Sequence, residues 1–523
     1  MDSIKMLWGK FKTQPDIWFF FGFLLTFTLS VRKVLFYFPI LGTFNEYSGM
    51  YLYISDIFLL LTLLSWLISI LCNNSITLSR YLPPTKNLLS HYKTYLKQFL
   101  VGGELWISNI FHRLYILLPS FLVLLSFISI FWSQNQSIAL FRSIKLLEFY
   151  LLYLYIIFRI VPQLFHACPP EKCSTLAPLI LDVPRGTSKI ITGWNKLLFG
   201  TIIFLGLFQA IIGIIQFFLQ KSIGLFWLKE SLISPDILGV AKVILNSEKF
   251  IRAYGLMPHP NILGGFLLFS IIITLLYQKC SMRNIKNGIW LFRLILTIQI
   301  FSLILTFSKS AIIGLLIALV YIYVSRGTFI KNLKQLQNFK LIILSVLIIL
   351  FSSFILIKPD LNSLFTKSLN ERLFYLNVPH GTFVEHPILG IGTGQSVLMM
   401  QKFYSQTLNF WEYQPVHNVF LLILSELDVF GLGVFIWWLW ELFHAKQLKE
   451  KNNEYILQNN NTTLSSIVIS RYFKGILLGL IFIMLFDHYL WDIQQGSFLF
   501  WLTAGFVAGI TKNWYCGNEI VIS

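Results

Sequence analysis

Residues 261–278 read NILGGFLLFSIIITLLYQ, a run of the chain without any Asp, Glu, Lys or Arg. An α-helix needs about 20 mostly apolar residues to cross the roughly 30 Å hydrocarbon core of a bilayer. The run is continuous, whereas a membrane barrel strand alternates apolar and polar residues, so a helix is the expected structure. Similar runs recur along the chain. The sequence therefore predicts an all-α fold, a polytopic transmembrane helix bundle that forms a single membrane domain over residues 1–523.

About twelve runs are long enough to be membrane spans. They lie near residues 17–31, 53–72, 114–133, 138–161, 197–219, 261–278, 288–306, 310–325, 341–357, 417–442, 474–490 and 497–511. The first run follows a basic start and lacks a small-residue cleavage site, so we expect a retained signal anchor.

The composition agrees with a membrane protein. Of 523 residues, 56% are hydrophobic and only 12% are charged, about half the charged fraction of a soluble domain. The net charge is +18, but the basic residues lie between the apolar runs and do not cluster in one segment. This distribution indicates membrane topology, and we expect no nucleic-acid partner. An N-terminus inside the cell puts the larger share of the basic residues on the inner side. We therefore expect a multi-pass protein embedded in the lipid bilayer, with both termini cytoplasmic.

Two outer segments are long in this topology, residues 220–260 and residues 358–416. Long loops on one face of a rigid scaffold are where binding and catalytic residues concentrate. Segment 220–260 alternates apolar and charged residues and is expected to lie along the membrane interface. Segment 358–416 is the expected large extracytoplasmic loop.

The first candidate group precedes the run at 261–278. Pro258 and Pro260 end any helix, and Asn261 is well suited to cap the next span. A helix N-terminus beside Arg252 and His259 would form an anion site. An arginine that reaches towards lipid phosphates explains Arg252 about equally well.

Two further cations lie on the outer side. Lys309 lies in the tight turn Thr306–Ser310, which holds its charge at the membrane edge. A purely topogenic lysine is the alternative, and it is disfavoured because the charge lies on the outer side. Arg372 precedes the sequence HPILGIGTG at 386–394, whose glycines favour a structural turn over a phosphate loop.

His417 and Asn418 stand at the start of the next span. Histidine is the best general base near neutral pH, although most single histidines are ordinary polar residues. Glu426 and Asp428 follow inside the span, where acids suggest either a function or an ion-pair and packing role.

The last outer turn, residues 487–496, combines polar and aromatic residues, among them Asp487 and His488. Such a cluster suits a sugar, and it equally suits an aromatic belt at the membrane interface.

In this order and spacing, the motifs resemble the O-antigen ligase-related (O-antigen ligase/polymerase) membrane protein family, most closely over residues 200–440. The resemblance implies a membrane-embedded glycosyltransferase that is inverting, metal-independent and without a cofactor. Its donor would be a glycan linked to a polyprenyl diphosphate such as undecaprenyl diphosphate. Its acceptor would be a glycan, a lipid or a protein. The resemblance places this polysaccharide biosynthesis for the cell envelope on the outer face of the plasma (inner) membrane.

The resemblance also suggests roles for residues. The family's catalytic histidine corresponds to His417, and its diphosphate-binding arginines correspond to Arg252 and Arg372. Lys309 would join these cations in stabilising the leaving diphosphate. The further candidates for substrate binding are His259, Asn418, Asp487 and His488.

Two positions depart from the family pattern. Lys309 stands where the family usually has Arg, which keeps the charge but loses bidentate phosphate binding. Asp428 stands where the family usually has Gly. Three alternatives remain at this point: a polysaccharide polymerase of the same family, a transporter or lipid-carrier flippase, and a non-catalytic membrane scaffold. Transporters favour charges at the membrane midplane, whereas the notable charges here lie at the outer mouth.

Overall fold

The computed structural model describes residues 14–81, 114–165, 193–245, 248–281, 288–324, 370, 372–444 and 461–516. This part of the chain is mostly helical. Its helices are α1 (Pro15–Thr26), α2 (Ile54–Tyr81), α3 (Leu114–Ile128), α4 (Gln136–Tyr155), α5 (Gly193–Leu219), α6 (Pro260–Ser281), α7 (Gly288–Leu305), α8 (Lys309–Val324), α9 (Asn377–Glu385), α10 (Val419–His444), α11 (Asn461–Met484), α12 (Tyr489–Asp492) and α13 (Gln494–Cys516). A π-helical turn, Ile156–Ile160, continues α4 into a last turn, Val161–Phe165.

Each predicted apolar run overlaps a helix, apart from 341–357, which lies outside the described residues. Five helical segments are long and apolar enough to cross a membrane: Ile54–Leu71, Leu114–Phe131, Lys196–Leu219, Pro260–Lys279 and Val419–His444. Pro15–Thr26, Trp290–Leu305 and Lys309–Val324 are shorter apolar helices. The chain is therefore a multi-pass membrane protein. The count of twelve spans and the side of each terminus stay predictions.

The expectation of an all-α fold misses two antiparallel hairpins. Strand β1 (Arg32–Tyr37) pairs with β2 (Gly49–Tyr53), and β3 (Lys242–Leu245) pairs with β4 (Glu248–Ile251). Successive side chains of a strand point to opposite faces, and in β2 Tyr51 and Tyr53 are buried while Leu52 is 41% exposed. The first hairpin thus presents two tyrosines to the helices.

The predicted end of the run at 474–490 is wrong. Helix α11 ends at Met484, and the backbone then forms tight turns in which Leu485 N–H donates to Phe482 O and Phe486 N–H to Ile483 O. Tight bonds of this kind close a helix C-terminus. Asp487 and His488 therefore lie in a turn before α12, as the predicted turn at 487–496 requires, and the run at 474–490 is predicted too long.

Helix α13 lies at the centre of the bundle, with all its side chains from Phe498 to Ile510 buried. It packs against α4, α11 and α12. A Cβ added at Gly505 would lie 2.9 Å from the Cβ of Ile156. Glycine therefore permits the close approach of α13 to the end of α4, as small residues do between membrane helices.

Helix α10 is kinked at Asp428, whose backbone has φ 55° and ψ −160°. Glycine adopts this conformation readily, and other residues adopt it only under strain. The kink leaves two carbonyl groups for another partner, and Ile391 N–H donates to Ser425 O while Gly392 N–H donates to Glu426 O. The glycine-rich segment at 386–394 therefore forms the structural turn that the sequence favours, docked into the kink.

Candidate functional site

Arg252 follows β4, and its guanidinium is turned into the protein. Its Nε donates to Thr306 O at 2.6 Å, and its Nη2 donates to Asn261 Oδ1 at 2.5 Å. These bonds tie Arg252 to the turn between α7 and α8, and they contradict an arginine that extends towards lipid headgroups. A guanidinium has five N–H donors, so three are left for an anion after these two bonds. Burial lowers the pKa of Arg252 to about 10, which leaves it charged at neutral pH.

Asn261 does not cap α6, contrary to the prediction from sequence. His259 takes that role, because its Nδ1 accepts the Asn261 backbone N–H at 3.2 Å. The amide of Asn261 instead bridges two charged groups: its Oδ1 accepts from Arg252, and its Nδ2 donates to Asp487 Oδ2 at 2.6 Å. The polar amide is drawn away from the helix end because a buried cation and a buried carboxylate both need a partner.

Two histidine rings are stacked at the centre of the site. His417, just before α10, and His488, in the turn before α12, have ring centroids 5.2 Å apart and planes 15° apart. His488 Nδ1 lies 2.8 Å from Asp492 Oδ1. The ring of Tyr375 meets His417 edge-on at 5.3 Å, and that of Tyr47 meets His488 at 5.7 Å. The structure thus brings together two candidates that lie 71 positions apart in the sequence.

The surroundings separate the pKa values of the two stacked histidines. Burial lowers the pKa of His417 to about 4, and the neighbouring charge of His488 adds to this effect. Burial would also lower the pKa of His488, but the charge and hydrogen bond of Asp492 outweigh it and raise the pKa above 6.5. His417 is therefore neutral at neutral pH, whereas the charged imidazolium is favoured at His488. Environments that push two pKa values apart mark acid–base sites.

His259 and Asp487 complete this network. Burial, followed by the charge of Arg252, lowers the pKa of His259 to about 3, in keeping with an Nδ1 that accepts a hydrogen bond. Burial would raise the pKa of Asp487, but the charge of His488 and the hydrogen bond from Asn261 lower it below its ordinary value. Asp487 is thus a buried carboxylate held in its charged form.

Lys309 and Arg372 add two cations. Lys309 is the first residue of α8 and follows Phe307, whose φ of 49° marks a sharp turn. The charges of Arg372 and Arg252 both act on the Lys309 ammonium, so both arginines lie near Lys309. These three residues are called the cation group. The charge of Arg372 also acts on His417, and its guanidinium carbon lies 5.3 Å from the centre of the Phe486 ring.

Asn418 and Glu426 have structural contacts. The Asn418 side chain caps α10 by accepting from Leu421 N–H, and it donates to Leu485 O at 3.1 Å. Substrate binding by Asn418 stays a prediction. Glu426 accepts a hydrogen bond from the Ser396 hydroxyl at 3.1 Å.

Three side chains of the site could hold a metal ion. One ligand atom each from His417, Asp487 and His488 lies within 4.8 Å of the others. The Asp492 carboxylate on His488 resembles the outer partners that orient metal-binding histidines. Metal independence, which the resemblance implies, therefore stays a prediction.

Some residues of the site escaped the sequence analysis. Tyr47 and Tyr375 carry no motif, and nothing in the sequence places them beside the histidines. Asp492 lies in the turn that was singled out, four positions after His488, a spacing that puts two side chains on one helix face. Arg142 and Lys145 lie inside a predicted span, where charges are a signal of function by default.

Comparison with known proteins gives one match, which covers part of the candidate site. Residues 294–436 match the family model described as O-antigen ligase. That range contains Lys309, Arg372 and His417, while Arg252 and the 487–492 turn lie outside it. No curated protein matches the chain.

Proposed function

Residues 294–436 place this chain in the O-antigen ligase-related family, and on that basis we propose that it transfers a glycan from a polyprenyl-diphosphate-linked donor to an acceptor hydroxyl on the outer face of the plasma membrane. The observation that carries the proposal is the convergence of the cation group (Arg252, Lys309, Arg372) with a neutral His417. These residues come from four separate segments of the chain.

The cation group would bind the diphosphate. The first residues of α6 and α8 belong to this region, and the positive ends of helices favour anions. As the glycosidic bond breaks, the diphosphate oxygen takes the electron pair and gains negative charge. Cations fixed before the reaction stabilise that charge without reorganising.

His417 would be the general base. The acceptor oxygen attacks the anomeric carbon, the carbon–oxygen bond to the diphosphate breaks, and the hydroxyl proton passes to the imidazole of His417. A base must be neutral to accept a proton, and the low pKa of His417 provides this at neutral pH. Direct displacement would invert the anomeric centre. The charges of the cation group would take the role of a metal ion.

The test is transfer from a polyprenyl-diphosphate glycan in reconstituted liposomes. Arg252→Ala and Arg372→Ala should each lose about 2–4 kcal/mol of transition-state stabilisation, roughly 30- to 1000-fold in rate. Lys309→Arg should be tolerated because it retains the charge and adds bidentate donors. The exposed Arg293, which lies over the Trp290 ring on α7, provides the matched control Arg293→Ala, which should behave as wild type. Near-wild-type turnover in Arg252→Ala or Arg372→Ala would remove that residue from the site.

Substitution of His417 separates the base from the diphosphate site. His417→Gln should abolish transfer and leave donor binding intact, because donor affinity rests on the cations. If donor binding collapses as well, His417 belongs to the diphosphate site and is not the base. Two acceptor arms, a second copy of the lipid-linked glycan and the cell's own lipid or protein acceptors, distinguish a polymerase from a ligase.

A further inference from the structure

A pocket lies beside the histidine pair, between the first hairpin and α4. The β1–β2 hairpin supplies Tyr51 and Tyr53, α4 supplies Arg142, and α12 supplies Trp491 and Asp492. Its interior is about 70 Å³, several times the roughly 10–15 Å³ that a cavity needs to hold one water molecule. The pocket is therefore suited to one small ring and not to a long chain.

The charges around this pocket are balanced, unlike those of the cation group. Three cations and three acids line it: Arg32, Arg142, Lys145, Glu46, Glu426 and Asp492. Several are already paired, with Arg32 Nη1 at 2.5 Å from Glu46 Oε1. A balanced polar lining favours an uncharged ligand with many hydrogen-bonding groups over an anion. The aromatic side chains provide apolar contact area for such a ligand.

Two residues that line the pocket each carry a buried polar atom without a hydrogen-bond partner among the described residues, Arg142 Nε and Asp492 Oδ2. The other Arg142 nitrogens are used, since Nη1 donates to Asp492 O at 2.9 Å and Nη2 to Tyr47 O at 3.1 Å. Buried polar atoms in proteins are normally satisfied, so each such atom calls for an explanation. One is a donor and the other an acceptor, and a hydroxyl group can accept from the first and donate to the second.

The pocket and the cation group are both connected to the histidine pair. Asp492 lines the pocket, and its Oδ1 lies 2.8 Å from His488 Nδ1. Asp487, next to His488 in the sequence, is connected through Asn261 to Arg252. The histidine pair thus links a site suited to a diphosphate to a site suited to a polyhydroxylated ring.

We propose that this pocket binds the terminal sugar of the acceptor, which rests on the glycan transfer proposed above. The sugar ring contacts the tyrosines and Trp491, and one hydroxyl bridges Arg142 Nε and Asp492 Oδ2. This places the acceptor beside His488 and its stacked partner His417, the proposed base, and lets the rest of the acceptor extend out through the mouth of the pocket.

Binding to the full-length protein in lipid nanodiscs tests the proposal. The probes are the free oligosaccharides that mild acid releases from the cell's lipid-linked glycans and from its finished envelope glycans, with inorganic pyrophosphate as the probe of the cation group. Arg142→Gln removes the unpartnered donor and should weaken binding of the free oligosaccharide at least tenfold while leaving pyrophosphate binding unchanged. Arg372→Gln should do the reverse, and Arg293→Gln should change neither.

Arg142→Gln could fail to fold, because two hydrogen bonds of Arg142 hold backbone carbonyls. A second variant, at Glu46, tests the proposal in that case. The Glu46 side chain is 39% exposed, so Glu46→Gln should fold, and the lost charge balance should weaken oligosaccharide binding at least threefold.

The remaining outcomes decide the proposal. The proposal is refuted if the wild-type protein binds neither oligosaccharide pool. It is also refuted if a folded Arg142→Gln variant binds oligosaccharide as wild type does. Where Arg142→Gln does not fold, unchanged oligosaccharide binding in Glu46→Gln refutes it. Loss of lipid-linked donor binding in Arg142→Gln, with free oligosaccharide retained, would assign the pocket to the donor sugar. Oligosaccharide binding that depends on Arg142, without any transfer product, would leave the pocket in place and reject the transfer reaction.

Discussion

Replacing His488 with phenylalanine should move the acid limb of the pH–rate profile towards neutral pH. The proposed base, His417, has a pKa of about 4, below the ordinary value of 6.5, because it is buried and next to the charge of His488. At pH 4 His488 is itself protonated, since its pKa is raised. In wild type, kcat/KM should therefore hold from pH 8 down to about pH 5 and fall to about half near pH 4.

The ring contact sets the size of the shift. Two unit charges 5.2 Å apart, the distance between the ring centroids, repel by about 0.8 to 3 kcal/mol for effective dielectric constants between 80 and 20. This corresponds to about 0.6 to 2 pKa units. His488→Phe retains a ring for stacking and removes the charge, and it also leaves Asp487 and Asp492 less neutralised. Both changes stabilise the imidazolium of His417 and raise its pKa.

The assay is kcat/KM for transfer between pH 4 and pH 8 with wild type, His488→Phe and a control, His380→Phe. His380 is exposed on α9, and its loss should leave the profile unchanged. Recovery of activity after return from pH 4 to pH 7 excludes irreversible inactivation, and an unchanged circular dichroism spectrum at pH 4 excludes unfolding as the cause of the acid limb. The height of the profile can fall in His488→Phe, but its midpoint is the test. A wild-type midpoint near 6.5, or an unmoved midpoint in His488→Phe, would refute the reasoning.

Three other experiments test separate features. Asp428→Gly should raise the thermal denaturation midpoint, because about 1–3 kcal/mol of backbone strain is relieved at φ 55°. An equal rise in Asp428→Asn would show that the gain comes from removing the buried charge and not from relieving backbone strain. Incubation with a metal chelator should leave transfer unchanged, and activity that is lost and then restored by a divalent cation would make His417, Asp487 and His488 metal ligands. Reporter fusions should place both termini in the cytoplasm and residues 358–416 outside, and a C-terminal reporter active only outside the cell would overturn the twelve-span topology.

The sequence predicts the helices well because lipid imposes a simple rule on them. A run such as 261–278 has few structures open to it other than a helix, since every backbone polar group must be satisfied within the segment. The positions at which the helices end are predicted less well, because the sequence signals for them are weaker. Helix α11 stops at Met484 although apolar residues continue, because the turn is fixed by contacts of Asp487 and His488 with distant segments.

The sequence of the β1–β2 hairpin contains a strand pattern, which a search for apolar helices does not detect. Tyr51 and Tyr53 are two positions apart, the spacing that puts side chains on one face of a strand, and glycines at 42 and 49 mark turns. No local sequence pattern predicts the hydrogen-bond partner of each buried polar side chain. Asn261 has the sequence context of a helix cap, and its actual role depends on Arg252 and Asp487, which lies 226 positions away.

Burial explains why the residues of the site have the protonation states that the proposed reaction needs before any donor arrives. A guanidinium starts from so high a pKa that burial still leaves Arg252 charged, with a pKa of about 10. The same burial takes the imidazole of His417 from 6.5 to about 4 and so makes it neutral. His488, whose ring nitrogen lies 2.8 Å from the Asp492 carboxylate, escapes that effect. The charge of Arg252, proposed for the diphosphate, and the neutrality of His417, proposed as the base, therefore follow from one physical cause, the burial of both side chains.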